Sequence, residues 1–157
     1  MQGRLKGRLY LMILISHRGN INGRISEMEN NPTYIYNALN KEFEVEIDVW
    51  YKDGGWYLGH DKPEYHINLD YLRNKKLWCH AKNIEALTLM LENNIHCFWH
   101  QEDDVTLTSC GFIWTFPGRK LTEKSICVLP EKIDEIPKDC IGICSDYIEK
   151  YKKLTDK

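Results

Sequence analysis

Four short stretches of the sequence place ionisable side chains within or directly after an apolar run. They are His17-Arg18-Gly19, residues 44–48 (Glu-Val-Glu-Ile-Asp), Gly59-His60-Asp61 and His80-Ala81-Lys82. Short apolar runs predict buried strands, and α/β sheets and barrels bind their ligands at the carboxyl ends of their strands. The sequence therefore predicts one site that combines histidines, carboxylates and cations.

Acidic and apolar residues alternate along residues 44–48, as expected for a strand with its carboxylates on one face. Residues i and i+2 of a strand point to the same side, so Glu44, Glu46 and Asp48 project together, opposite Val45 and Ile47. Crowded carboxylates repel each other unless a cation neutralises them, and hard divalent cations such as Mg²⁺ or Ca²⁺ prefer oxygen ligands. A solvent-facing edge strand with hydrated acids explains the pattern equally well at this stage.

Histidines and cations in the other stretches suit phosphodiester chemistry. Cleavage of a phosphodiester needs a base and an acid, and histidine titrates in the useful range. His17 and His60 are the candidates, and Asp61 beside His60 can fix the tautomer of that ring. Arg18 offers forked donors to phosphate oxygens, and Lys82 adds a second positive charge at its strand end. Each histidine alone suits a structural role as well, but their order at successive strand ends favours a site.

The elements that must position these residues alternate between short strands and helices. Strands are predicted at residues 10–16, 43–50, 77–81, 97–100, 112–116, 126–129 and 141–144, with a hairpin arm at 56–58. Helices are predicted at about residues 32–39, 69–74 and 84–92, and the charged residues 149–157 as a solvated tail. This alternation is typical of β/α units around a parallel sheet.

Length and composition restrict the possible classes of protein. The 157 residues are the size of one ordinary domain, so we expect a single domain over residues 1–157, with 1–11 an upstream extension if Met12 is the natural start. The net charge of −2 argues against a nucleic-acid partner. The apolar run 9–15 is too short to cross a membrane, so we expect no stable membrane insertion. Six cysteines, mostly in apolar settings, favour reduced thiols and a cytoplasmic location.

Taken in order, the motifs resemble those of the glycerophosphodiester phosphodiesterase family, which belongs to the phospholipase-C-like TIM-barrel phosphodiesterases. The matching stretches are His17-Arg18-Gly19, Glu29-Asn30-Asn31, Glu46-Ile47-Asp48, Asp53-Gly54, Gly59-His60-Asp61 and residues 142–147. The agreement is best over residues 12–61. Because a full eight-fold barrel typically needs about 250 residues, the resemblance implies an α/β fold with a reduced or incomplete TIM (β/α) barrel of mostly parallel strands and short helices.

The resemblance also implies a function, the metal-dependent hydrolysis of a small phosphodiester. The implied site consists of the catalytic pair His17 and His60, the phosphate contacts Arg18 and Lys82, the metal ligands Glu46, Asp48 and His80, and a supporting Glu29. One divalent ion, Mg²⁺, Ca²⁺ or Mn²⁺, is implied as cofactor. Asp146 matches the last acidic residue of the family pattern, Trp114 matches a late-strand tryptophan that can wall the substrate site, and His100 is a weaker candidate for the barrel mouth.

The sequence departs from the family pattern in ways that leave the substrate open. His80 stands where the family has an acidic metal ligand, and imidazole suits Mn²⁺ or Zn²⁺ better than Mg²⁺ or Ca²⁺. Only residues 62–76 separate the His-Asp loop from the next strand, where the family commonly carries an insertion that helps recognise glycerol. The headgroup of the phosphodiester therefore stays open, and a preference for glycerophosphodiesters does not follow.

Two other functions fit the same residues. A lyase of the same superfamily expels an alcohol by attack of a substrate hydroxyl and forms a cyclic phosphate. A binding module holds a phosphate ester without turnover, which His80 and the short chain favour and the two retained histidines oppose. A reduced barrel also leaves a strand edge to cover, which a homo-oligomer would do.

Overall fold

The computed structural model describes residues 12–134 and 136–156. This part of the chain forms ten strands, four α-helices and one 3-10 helix at Pro130–Lys132. The strands are β1 (Ile13–His17), β2 (Glu44–Lys52), β3 (Gly55–Leu58), β4 (Tyr65–Ile67), β5 (Leu77–Ala81), β6 (Cys97–Phe98), β7 (Val105–Leu107), β8 (Ile113–Thr115), β9 (Ser125–Val128) and β10 (Gly142–Ser145). The helices are α1 (Pro32–Asn40), α2 (Leu69–Leu72), α3 (Ile84–Glu92) and α4 (Ile148–Thr155).

Seven of these strands run parallel, in the order β6-β5-β2-β1-β10-β9-β8. The sheet is curled. In chain order its parallel strands are β1, β2, β5 and β6 on one side of β1 and then β8, β9 and β10 on the other, so the last strand, β10, pairs with the first, β1. Three strands are antiparallel to their neighbours: β3 pairs with the end of β2, β4 pairs with β3, and β7 pairs with β8. The predicted α/β class with a mostly parallel sheet and short helices is confirmed. All seven predicted strands are present, β5 with the predicted bounds and the other six with shifted ends.

The curled sheet stays open on one side. Within the described residues β6 and β8 form no ladder with each other, so the sheet is not a closed TIM barrel. The segment after β7 partly covers the gap, because the backbone N–H of Ser109 donates to the carbonyl oxygen of Cys97 at 2.9 Å. Inside the sheet, the rings of Phe98 and Trp114 lie 4.7 Å apart across this opening.

Capped helices pack on the outside of the sheet. Helix α1 begins at Pro32, and the side chain of Asn31 accepts a hydrogen bond from its first turn, as N-cap asparagines do. Asn83 caps α3 in the same way, and Ala86 and Met90 of that helix are buried. Helix α3 contacts β2, β5 and β6, where it covers the apolar face of β2.

The C-terminal stretch departs from its prediction. Residues 149–157 were expected to form a solvated tail, but residues up to Thr155 belong to α4, so that prediction is wrong. Ile148 and Tyr151 are buried and pack with Phe43 and Ile143 against β1 and β10. Of the charged residues of this helix, Lys150 and Lys153 are exposed, and Glu149 and Lys152 are partly exposed. The two buried residues have the spacing of one helix face, but the high charge of this stretch conceals that pattern.

Smaller differences concern the other elements. Strands β4 and β7 were not predicted, and the predicted residues 10–11 of the first strand, with the suggested extension 1–11, lie outside the described residues. None of the described helices is both long enough and apolar enough to cross a membrane. No disulfide bond links any of the six cysteines, all of which are described.

Candidate functional site

The carboxyl ends of the parallel strands meet at one edge of the sheet, where they surround a cavity of about 370 Å³. His17 ends β1, His80 lies near the end of β5, and Asp146 directly follows β10. Glu46 of β2 and His60, which follows β3, line the same cavity. Most of these residues, from distant parts of the sequence, meet here because their strands are parallel and point the same way, whereas His60 arrives from the antiparallel β3.

Two carboxylates of β2 are buried beneath this cavity. Glu46 is 2% exposed and Asp48 0% exposed, and β2 is paired on both sides, with β1 and with β5. The alternative of a solvated edge strand is therefore excluded. Glu44, expected to project with them, instead accepts a hydrogen bond from the indole Nε1 of Trp78 and lines a different cavity, so it does not belong to this group.

Asp48 is held by donors on one of its oxygens. Its Oδ2 accepts a hydrogen bond from Asn30 Nδ2 at 2.8 Å and lies 2.9 Å from Arg18 Nε. Burial favours the protonated form of this carboxyl, but His80, Arg18 and Asn30 act against it and keep the pKa of Asp48 below its usual range. Burial and the charge of Asp48 raise the pKa of the neighbouring Glu46.

His80 turns one ring nitrogen toward both carboxylates. Its Nε2 lies 2.9 Å from the carbonyl oxygen of His100, and since a carbonyl only accepts hydrogen bonds, Nε2 carries a proton. The other nitrogen, Nδ1, lies 3.2 Å from Asp48 Oδ1 and 3.8 Å from Glu46 Oε1. The cationic ring pairs with Asp48 through Nδ1 and favours its ionised form, whereas the neutral ring presents a lone pair there, in the space that the two carboxylates share.

These three side chains fit a divalent cation. One ligand atom from each of Glu46, Asp48 and His80 lies within 4.8 Å of the others. Glu46 Oε2 and Asp48 Oδ1 are buried, and neither accepts a hydrogen bond from any described residue. Each of the two carboxylates thus keeps one buried oxygen without a hydrogen bond, close to an imidazole nitrogen, and a bound cation would satisfy such a group.

His17 is oriented by a carboxylate at the end of the neighbouring strand. Its Nδ1 lies 2.7 Å from Asp146 Oδ1, and its Nε2 lies 3.8 Å from Glu46 Oε2. Burial works against protonation of this ring, but the hydrogen bond to Asp146 and the charge of Glu46 outweigh it, so the pKa of His17 is raised. Asn20 also donates to Asp146 Oδ1, at 2.9 Å, and so fixes the carboxylate as well.

The first loop is supported by Glu29. This carboxylate accepts hydrogen bonds from Asn20 Nδ2 at 2.9 Å and Arg24 Nε at 3.1 Å, which are contacts of the supporting kind expected of it. His17, Glu29 and Asp146 also have possible metal-ligand atoms close together. However, both carboxylates already accept hydrogen bonds, Glu29 from Asn20 and Asp146 from His17 and Asn20. This second group is therefore a hydrogen-bond network that shapes the loop.

His60 reaches the cavity but is held less firmly. Its side chain is 41% exposed, and its Nδ1 lies 3.5 Å from Asp61 Oδ1 without forming a hydrogen bond. Asp61 is itself 95% exposed, so the expectation that it fixes the tautomer of His60 is wrong. Burial and the charges of Arg18 and Lys82 lower the pKa of His60.

The two predicted phosphate contacts border the carboxylates. Besides its contact with Asp48, Arg18 places Nη1 3.7 Å from Glu29 Oε2, and it lines the cavity. Lys82 directly follows β5, with Nζ 3.9 Å from Asp48 Oδ1. Both cations therefore lie beside the candidate metal site.

The sequence did not predict two residues that support the site, Asn30 and Glu131. Asn30 binds Asp48 through both its side-chain atoms, since its Oδ1 also accepts from the Asp48 backbone N–H at 2.9 Å. Glu131 accepts from the Asp146 backbone N–H and from Ser145 Oγ, both at 2.9 Å, and so anchors the loop that carries Asp146. Asn30 lies in a motif that the sequence singles out, whereas nothing in the sequence indicates Glu131.

Comparison of the chain with models of protein families, with curated proteins and with solved structures gave no match. The resemblance based on the sequence motifs therefore stays a prediction.

Proposed function

We propose that this chain is a metal-dependent phosphodiesterase that hydrolyses a small phosphodiester in the cavity at the carboxyl edge of its sheet. The observation that carries the proposal is the convergence of Glu46, Asp48 and His80, in which each carboxylate keeps one buried oxygen without a hydrogen bond. Two histidines, His17 and His60, line the same cavity. The resemblance of the motifs to glycerophosphodiester phosphodiesterases supports the same reaction, and in this view the curled sheet is a reduced TIM barrel.

Glu46, Asp48 and His80 would hold the divalent ion. A bound ion supplies positive charge that polarises a phosphoryl oxygen. Coordination through an imidazole nitrogen favours Mn²⁺ over Mg²⁺ or Ca²⁺. Arg18 and Lys82 add fixed positive charge beside the same place, so the remaining phosphate oxygens would bind there.

The two histidines would move the protons. Hydrolysis needs one group to take a proton from the attacking water and another to give a proton to the leaving alcohol. Asp146 holds Nδ1 of His17, which leaves Nε2 on the side of Glu46 and the cavity. His60 lines the cavity from the loop after β3 and supplies the second imidazole.

The test is a panel of phosphodiesters incubated with Mn²⁺, Mg²⁺, Ca²⁺ or Zn²⁺ and followed by phosphorus NMR. We expect a phosphomonoester and an alcohol as products, loss of turnover on chelation, recovery with Mn²⁺, and a fall of at least about 10²-fold in His17→Ala. A cyclic phosphate would identify the lyase instead. Turnover that survives a chelator or the His17→Ala change contradicts the proposal, and binding without turnover would identify a binding module.

A matched pair of variants tests the metal ligands separately from catalysis. Glu44 and Glu46 lie two residues apart on β2, but only Glu46 belongs to the ligand group. Because an ion that binds only the folded chain stabilises it, we expect Mn²⁺ to raise the Tm of the wild type and of Glu44→Gln, but not that of Glu46→Gln. An equal rise in all three proteins would place the ion elsewhere.

A further inference from the structure

We propose that the organic group of the substrate is apolar, an alkyl or aryl group, and that it packs on one wall of the active-site cavity. This inference rests on the proposed function and names its substrate class. The wall, called here the apolar wall, consists of Trp114, Phe116, Pro117, Val128 and Leu129. It comes from the carboxyl ends of β8 and β9, whereas the candidate metal ligands come from β2 and β5.

The lining of the cavity has no neutral hydroxyl or amide side chain. None of the described residues around it is a serine, threonine, asparagine, glutamine or tyrosine, and apart from the indole of Trp114 the polar side chains that line it are ionisable. Hydroxyl and amide side chains are the neutral partners that recognise the hydroxyls of glycerol or sugars. A polyol placed on the apolar wall would lose hydrogen bonds to water without replacement, whereas an apolar group would lose none.

The aromatic part of the wall is held in place before any ligand binds. Trp114 is 4% exposed, and its ring packs 4.7 Å from Phe98 and 5.8 Å from Trp78. The backbone N–H of Phe116 donates to the carbonyl oxygen of Asp104 at 2.9 Å. Side chains that are already ordered lose little conformational freedom on binding, so this surface is suited to take up a ligand.

The turn after Phe116 is also fixed. Arg119 Nε lies 2.9 Å from Asp104 Oδ1, so a salt bridge and a backbone hydrogen bond join the loop after β8 to the loop after β6. Phe116 remains 43% exposed although its backbone is anchored. An exposed aromatic ring on an anchored loop at the mouth of a cavity is available for contact with a ligand.

Leu129 adds a strained residue to the wall. Its φ of 47° and ψ of 52° lie in the left-handed region, which is unfavourable for a leucine. Its backbone N–H donates to the carbonyl oxygen of Cys144 at 2.7 Å, and Pro130 begins the 3-10 helix directly after it. Strained residues cluster at functional sites, and here the strained turn accompanies a leucine side chain that lines the cavity.

The test is a series of methyl alkyl phosphates that differ only in the alkyl group: methyl, propyl, pentyl and, as the polyol, glyceryl. With Mn²⁺ present, we expect kcat/KM to rise roughly threefold for each added methylene until the wall is covered. The propyl ester should exceed the glyceryl ester at least about tenfold. In Phe116→Ala the increase in kcat/KM per methylene should be smaller. In Tyr36→Ala, which removes an exposed aromatic ring from α1, this increase should be unchanged.

A binding measurement separates this inference from the proposed reaction. If no ester is hydrolysed with any ion, the proposed function fails, and calorimetry with non-hydrolysable methyl alkylphosphonates then decides the inference. Affinity that rises with chain length, and does so less in Phe116→Ala, supports the apolar wall. Three results would overturn it, whether seen in affinity or in kcat/KM: no dependence on chain length, a preference for the glyceryl compound, or the same dependence on chain length in Phe116→Ala as in the wild type.

Discussion

His17 Nδ1 lies 2.7 Å from Asp146 Oδ1, although 129 positions separate the two residues in the chain. The register of two parallel strands brings them together. Ser16 of β1 lies opposite Ser145 of β10, and His17 and Asp146 are the residues that directly follow these two serines. The contact thus depends on the pairing of the first strand with the last. The pairing of β1 with β10 is therefore part of the fold and also orients the ring of His17.

The first prediction concerns this contact. Asp146→Asn keeps the size of the side chain but removes the charge that holds the His17 ring, so we expect kcat to fall about 10²-fold with little change in KM. The rise in Tm on addition of Mn²⁺ should persist, because Asp146 is outside the ligand group of Glu46, Asp48 and His80. Steady-state kinetics and thermal unfolding check both parts. Asp139→Asn, at an exposed position, is the control. An unchanged kcat would show that His17 needs no such partner.

The second prediction concerns the choice of metal ion. His80→Glu replaces the only nitrogen ligand among the three candidate ligands by oxygen, and oxygen ligands suit Mg²⁺ and Ca²⁺. We therefore expect the rise in Tm to become larger for Mg²⁺ and Ca²⁺ relative to Mn²⁺ and Zn²⁺. His66→Glu, which adds a carboxylate at an exposed position of β4, controls for the added charge. The same order of ions in wild type and His80→Glu would remove His80 from the ligand set.

Local patterns in the sequence predict much of the fold. The helix at Ile84–Glu92 has the predicted bounds, and Asn83 caps it; Ala86 and Met90 are its buried residues, while Ile84 and Leu91 are exposed. The apolar residues Val45, Ile47 and Val49 are fully buried as expected from their alternation. Helix α4 was missed because its stability comes from packing on β1 and β10, which a charged local pattern does not indicate.

The site was predictable to the extent that it follows from the strand ends. Parallel strands bring their carboxyl ends together, so the motif residues His17, Glu46 and His80 gather at one edge. The partners of these residues depend on long-range pairing and on side-chain direction. Glu44 has the spacing of a third carboxylate, yet it bonds to Trp78 because the indole donor of the neighbouring strand lies beside it.

The third prediction concerns His96, which lies away from the candidate metal ligands. Its ring packs 4.4 Å from Trp78, its Nε2 lies 2.8 Å from Thr108 Oγ1, and burial lowers its pKa to about 4. Between the ordinary value of 6.5 and about 4, the unfolded chain binds a proton that the folded chain does not. The free energy of unfolding should therefore decrease as the pH falls through this range.

Urea unfolding between pH 7 and pH 4.5 measures this effect. His96→Gln keeps a partner for Thr108 but does not titrate, so its urea midpoint should depend less on pH than that of the wild type. His66→Gln removes an exposed histidine and should keep the pH dependence of the wild type. Equal slopes in wild type and His96→Gln would show that other groups cause the pH dependence.

The fourth prediction tests the docking of α4. Ile148 is fully buried with Tyr151 and Ile143, so Ile148→Ala should lower the free energy of unfolding by about 3 kcal/mol, through lost burial and the cavity left behind. Leu154→Ala lies on the same helix but is 38% exposed, and it should cost no more than about 0.5 kcal/mol. Urea unfolding of both variants gives the comparison. If the two costs are equally small, the helix does not stabilise the sheet, and the original expectation of a solvated tail would describe this stretch better.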